Sequence, residues 1–149
     1  MAVEADTIPA GAGAYALLVR LHRPLKPEIP AFRERVLRPG AYVYCGSACG
    51  PGGLAARVAR HLRSGKPVNW HIDRLTEAGR IEGVAVRIGG CECDLFDALI
   101  ADGATVPIPG FGSSDCRRCP AHLVAARDDF DDIALVAVVG LGRKAAPSL

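Results

Sequence analysis

From Tyr15 onward the chain alternates. Tyr15, Leu17, Val19 and Leu21 fall on one side and Ala16, Leu18 and Arg20 on the other, the period of a strand with one face well buried. Residues 41–46 repeat the pattern, with Tyr42 and Tyr44 on one side and Val43 and Cys45 on the other. The connection between them is too short for a parallel crossover, so the two strands are expected to pair antiparallel. Pro24, Pro27 and Pro30 make the start of that connection a loop, and Pro39-Gly40 closes it. Residues 32–38 fit a short strand or a helical turn equally well. Residues 47–53, SACGPGG, form a turn in which glycine supplies the backbone angles and lets another chain approach closely.

The period then becomes helical. Over residues 54–63, Leu54, Val58 and Leu62 form an apolar stripe, Arg57 and His61 sit at its edge, and Arg60 and Arg63 point to solvent. Residues 70–78 predict a second helix with Asn69 in the N-cap position. Residues 84–88 read as a strand, and 92–101 as a third helix with Leu95, Phe96, Leu99 and Ile100 at helical spacing. Residues 105–115 are a Gly/Pro/Ser loop and 122–127 a short strand. The apolar run 133–141 is a buried strand or a short helix. This order predicts an α/β (α+β) fold, a small, mainly antiparallel central sheet flanked by helices, and not a doubly wound one. Residues 1–12 read as a loose N-terminal tail, 13–141 as one domain and 142–149 as a C-terminal tail.

Composition sharpens this. With 50% hydrophobic but only 5% aromatic residues, the core is built mostly from Ala, Val, Leu and Ile, and 149 residues suffice for one real core. The longest apolar run falls short of the ~18 residues of a membrane span. The N-terminus has neither the basic nor the apolar region of a signal peptide, so a cytoplasmic protein is expected, with no membrane partner. There, six cysteines are expected as thiols or metal ligands and not as disulfides. The net charge of +2 conceals an asymmetry: residues 1–75 carry 11 Lys/Arg against 5 Asp/Glu, and residues 76–149 carry 7 against 11. A basic half suits a polyanion, although chance asymmetry of a solvated surface gives the same count.

Two adjacent strands can bring Tyr15 and Tyr44 onto one surface, with Arg57 and His61 laid beside them by the following helix. A phenol beside a guanidinium ionises more easily and can accept a proton, and an arginine can grip a phosphate bidentately. A lone carboxylate such as Glu92 can hold Mg²⁺, which keeps several waters and shares the substrate phosphate. The same residues also fit strand packing and a surface Arg/His pair. In NWHID, residues 69–73, Trp70 can stack on a base or belong to the core, and Asp73 can orient His71 or cap the helix. Cys93 together with Cys116, Cys119 and His122 has the spacing of a Cys₃His zinc site. Such a zinc would staple the 92–101 helix to the cysteine loop and fix Glu92; buried thiols are the alternative. Ser113 and Ser114 offer hydroxyls to a phosphate from a loop that either closes over a substrate or is simply a turn. There is no Ser/His/Asp triad, Walker A loop or dinucleotide fingerprint.

Gly13-Ala14-Tyr15, then Tyr44-Cys45-Gly46, then Arg57 with His61 four residues on, resemble the GIY-YIG nuclease pattern, with Ala14 and Cys45 in place of its two isoleucines. More specifically, YVYCGSA, GGLAARVARHLR, NWHID, ECDL and GFGSSDC followed by HL resemble the small GIY-YIG-like proteins grouped as DUF123. These occur alone or fused to a DNA-repair endonuclease III. The resemblance runs from Gly13 to about Leu123. It implies a small antiparallel sheet flanked by helices that cuts phosphodiester bonds with one Mg²⁺ or Mn²⁺. It also implies nucleic acid, DNA first, as partner, and protein partners in DNA repair.

Carried over, Tyr15 assists or acts as general base, and Tyr44 positions the water or the phosphate. Arg57 stabilises the phosphorane-like charge, and His61 is an auxiliary acid/base or phosphate contact. Glu92 is the metal ligand ahead of Asp94 and Asp97. Gly46, Ser47, Arg60, Trp70, His71, Ser113 and Ser114 are expected against the substrate. The superfamily's late asparagine has no counterpart, since the only Asn is Asn69. Two readings follow: a metal-dependent DNA endonuclease acting in repair or processing, or a non-catalytic nucleic-acid-binding module on a degenerate nuclease scaffold, which the missing asparagine favours. A third is a zinc-stapled protein-interaction domain.

Overall fold

The two tyrosine-bearing strands form the centre of the molecule. The computed structural model describes residues 8–32, 35–68, 70–112 and 118–139. In it β1 (Gly13–Leu21) and β2 (Gly40–Ala48) pair antiparallel along their whole length. β3 (Arg80–Ile88) adds to the other edge of β1 and β4 (Leu123–Ala126) to the other edge of β2. The sheet order is β3-β1-β2-β4, with every neighbour antiparallel. Helices α1 (Gly53–Leu62), α2 (His71–Ala78), α3 (Glu92–Ala101) and α4 (Asp132–Val139) complete an α+β fold. Among the described residues no helix is long and apolar enough to cross a membrane.

Alternation suggests one buried face for β1, but both faces are covered. Tyr15, Leu17, Val19 and Leu21 pack with Leu54 and Val58 of α1 and Ile72 and Leu75 of α2. Ala14, Ala16 and Leu18 face the other way, against Leu95, Phe96 and Leu99 of α3 and Leu135 of α4. Alanines on that face let the helices come close, and a sheet covered on both sides needs no polar face. Each fully buried leucine here contributes about 1.5–3 kcal/mol by leaving water.

Two open alternatives are decided and one expectation is corrected. On either side of residues 33–34, which lie outside the described residues, there is a 3-10 turn at Pro30–Phe32 and an isolated bridge between Leu25 and Leu37. The run from Ile133 is a helix, packed so close to β3 that a Cβ on Gly83 would lie 2.9 Å from that of Asp132. The helix after Pro67 takes Trp70 as its N-cap, with the Trp70 N–H donating to Asp73 Oδ2 at 2.9 Å. Asn69 lies outside the described residues.

Residues 8–12 belong to the domain and not to a loose tail. Ile8 is buried, and the carbonyls of Gly11 and Pro9 accept from the N–H groups of Leu54 and Ala55 at 2.9 Å each. A helix start leaves such donors unpaired, and here the N-terminal segment satisfies them. Gly53, at φ +57, makes the crossing possible: a Cβ there would stand 1.9 Å from the Ala10 carbonyl. The chain that approaches the glycine-rich turn is therefore the protein's own. The remaining tail residues, 1–7 and 140–149, lie outside the described residues.

Candidate functional site

Antiparallel register builds the site floor. Tyr15 stands opposite Gly46, and Tyr44 lies one pleat further along the same face opposite Leu17. The two tyrosine rings are 6.3 Å apart. Gly46 is glycine for a steric reason, because a Cβ there would sit 2.4 Å from the Tyr15 hydroxyl. Alternation turns Ser47 to the other face, so Ser47 serves the site through its backbone. Its carbonyl accepts from Arg57 Nη1 at 3.2 Å.

α1 crosses above this floor. His61, on its last turn, is 1% exposed, and its Nε2 lies 2.7 Å from the Tyr15 hydroxyl. Its ring centre is 5.3 Å from Tyr15, 6.1 Å from Tyr44 and 5.7 Å from Trp70. Nδ1 of His61 is buried with no hydrogen-bond partner among the described residues. His61 is thus deeper than the edge position that the helical stripe predicts, while Leu62 is only partly buried.

The two arginines one turn below separate by their partners. Arg60 donates to both carboxylate oxygens of Asp73 at 2.9 Å, and the Asp73 side chain is 0% exposed. Arg60 is therefore held in a bidentate pair instead of pointing freely into solvent, and its guanidinium carbon lies 4.1 Å from the Trp70 ring centre. Arg57 lies 4.7 Å from the same ring. It has no carboxylate partner among the described residues, so its charge is unmatched beside the two phenols.

Burial dominates the acid–base character. The Tyr15 hydroxyl is pushed well above the ordinary phenol value by desolvation, with Tyr44 adding to the rise and Arg57 opposing it. Arg57 does ease ionisation of the phenol, as its charge predicts, but the loss of water outweighs the cation. Tyr44 is pushed up to about 12, again by burial first, then by Cys45, with Arg57 opposing and Glu92 and Asp73 adding. His61 is drawn down to about 4 by burial, with Asp73 opposing and Arg60, Lys66 and Arg57 adding. At neutral pH the pocket holds a neutral imidazole against a neutral phenol.

Glu92 opens α3, which packs on the opposite face of the sheet. It is half-buried, and its charge reaches Tyr44, Cys45 and His122. Asp94 and Asp97 on the same helix are exposed and share Arg118, at 2.9 and 2.7 Å. Of the three carboxylates, Glu92 is the one whose charge is felt at Tyr44.

His71 does not join the tyrosine cluster. Its Nδ1 accepts from the Gly112 N–H at 2.9 Å, and its ring packs against Phe32 and Phe111. It pins the 110–112 loop over Tyr44, close enough that a Cβ on Gly112 would lie 2.8 Å from the Tyr44 ring. Asp73 caps α2 and binds Arg60, so it is committed away from His71. Cys93, Cys119 and His122 come together as a separate buried cluster. Ser113, Ser114 and Cys116 lie outside the described residues.

Sequence reasoning missed Lys66. It is 7% exposed and donates to the carbonyls of His61 and Arg63 and to Glu77 at 3.1, 2.8 and 2.9 Å. It closes the C-terminal end of α1, where unpaired carbonyls favour a cation. Only its position one turn past the helix end hinted at this.

With the sheet, the tyrosine pair and the α1 side chains in place, the family can be stated. Residues 14–140 match the family described as Domain of unknown function DUF123. The chain belongs to DUF123. Comparison with curated proteins and with solved structures returns no match. The matched stretch runs from the second residue of β1 past the end of α4 and includes both tyrosines, Arg57, His61, Glu92 and the cysteine cluster.

Proposed function

We propose that this DUF123 protein is an endonuclease that cuts phosphodiester bonds in DNA with the help of one Mg²⁺ or Mn²⁺. The observation that carries the reading is Arg57. It is a guanidinium without a carboxylate partner among the described residues, beside two buried phenols and a neutral imidazole. Such a cation is suited to the charge that builds on a phosphoryl oxygen in the transition state.

Glu92 fits a hard divalent ion. It is a half-buried oxygen donor whose charge is felt at Tyr44, and Mg²⁺ needs only one or two carboxylates when substrate phosphate and water complete its shell. Bound there, the ion would supply Lewis-acid polarisation of the phosphate. The chain's own residues do the rest. Tyr44 orients the attacking water. Tyr15 takes its proton while passing its own to His61 Nε2 across 2.7 Å, so no phenolate forms in a pocket that disfavours one. The arriving phosphodiester anion raises the proton affinity of His61 as the relay requires. Trp70, 38% exposed beside Arg57 and Arg60, is a stacking surface for a base near the cut.

The second reading, a nucleic-acid-binding module without catalysis, is favoured by one observation: Tyr15 is 1% exposed. A panel of single-stranded, duplex and branched DNA, incubated with Mg²⁺, Mn²⁺ or chelator, separates the two. Metal-dependent products that chelator abolishes are the expected result. Binding that weakens steeply with salt, with no product in either metal, identifies the module.

A further inference from the structure

The sheet carries a second cluster on the face away from the tyrosines. Cys93 lies in the first turn of α3, while Cys119 and His122 come from the segment that leads into β4. All three are buried, at 4%, 7% and 5% exposure. One donor atom from each lies within 4.8 Å of the other two, and Cys93 Sγ is 3.9 Å from His122 Nε2.

These distances are close to the edges of a tetrahedral zinc site. Bonds of about 2.3 Å to sulfur and about 2.0 Å to nitrogen put neighbouring donor atoms roughly 3.6–3.8 Å apart. The histidine is oriented as a ligand should be. Its Nε2 faces the Cys93 sulfur at 3.9 Å. Its backbone is anchored on both sides: the His122 carbonyl accepts from the Cys45 N–H at 2.9 Å, and the His122 N–H donates to the Phe111 carbonyl at 2.8 Å. The charges also match, since two thiolates and one neutral imidazole neutralise a divalent ion in a buried site.

We propose that Cys93, Cys119 and His122 bind a structural Zn²⁺ that fastens the start of α3 to the β4 edge of the sheet. The ion ties together the helix that begins with Glu92, the segment entering β4 and, through the His122 N–H bond to the Phe111 carbonyl, the loop over Tyr44. The site stands on its own geometry and does not depend on the cleavage reading.

The test is metal content and a cobalt spectrum. Full-length protein purified without added metal is assayed for bound metals, and a second sample is loaded with Co²⁺ as a spectroscopic probe. About one zinc per chain, with thiolate-to-cobalt charge-transfer bands in the near ultraviolet, is the expected result. Cys93→Ser and Cys119→Ser should each lose the metal and the bands, while Cys49→Ser, at an exposed cysteine outside the cluster, keeps both. Wild-type protein with no zinc and no cobalt bands overturns the proposal, even if the cluster variants fail to fold. So does metal that persists in both cluster variants.

Discussion

Tyr15 and His61 meet at 2.7 Å, one from the first strand of the sheet and the other from the last turn of α1, 46 positions apart in the chain. The contact joins the two elements that carry the candidate chemistry. It also gives His61 its only hydrogen bond through the ring among the described residues, since Nδ1 has none. Removing the hydroxyl therefore leaves a buried imidazole with neither nitrogen paired. Tyr15→Phe should lower stability by about 1–3 kcal/mol, read from urea denaturation. Replacing both residues, Tyr15→Phe with His61→Phe, should recover part of that loss while DNA cleavage stays absent. An unchanged midpoint in the single variant would show that the contact carries no weight.

His61 also makes stability depend on pH. Its value of about 4 in the folded protein lies below the roughly 6.5 of an unfolded histidine. Between those values the unfolded chain binds the extra proton. Stability should therefore be full above about pH 6.5, fall as pH drops toward 4, and level off below. His71, also lowered by burial, acts in the same direction. His61→Gln should make the slope shallower, by at most about 3 kcal/mol across the window. An identical slope in wild type and variant, followed by thermal melting at several pH values, would contradict the assignment.

Gly46 tests the fit of the floor. A methyl group there would collide with the Tyr15 phenol, whereas at Gly50 nothing lies within 4 Å. Gly46→Ala should cost about 1–3 kcal/mol or more by overpacking, and Gly50→Ala should be close to neutral. Equal melting temperatures for the two variants would mean that Tyr15 has room to move.

Trp70 is the only tryptophan, so its fluorescence reports on one place. Adding single-stranded DNA should quench it. Trp70→Ala should weaken binding by about 1–3 kcal/mol, the range of one stacked base. Emission that ignores DNA while binding is detected by another method would move the binding surface elsewhere.

Much of this architecture was legible in the sequence because period and register are local properties. The strict alternation around Tyr15 and Tyr44 gave both strands and their shared face, and the spacing of Leu95, Phe96 and Leu99 gave α3 from its first residue to its last. What failed was tertiary. Nothing local marks Arg60 and Asp73 as partners, because they lie thirteen residues apart on two helices whose crossing angle the sequence does not encode. The ionisation of Tyr15 was misjudged for a similar reason. A nearby arginine can be anticipated from spacing, but the depth of burial that outweighs it depends on the covering of α1 and the 8–12 segment. The run from Ile133 was ambiguous because an apolar stretch without clear period suits a buried helix and a buried strand alike.

The central claim is that Arg57 and Glu92 both serve the cleavage of a phosphodiester. The direct measurement is the single-turnover rate of DNA cleavage, in Mg²⁺ and in Mn²⁺, for wild type, Arg57→Ala and Glu92→Ala, with circular dichroism confirming that each variant is folded. A loss of about 10²-fold or more in each variant, with melting temperatures close to wild type, is the expected result. Cleavage at the wild-type rate by both folded variants would contradict it.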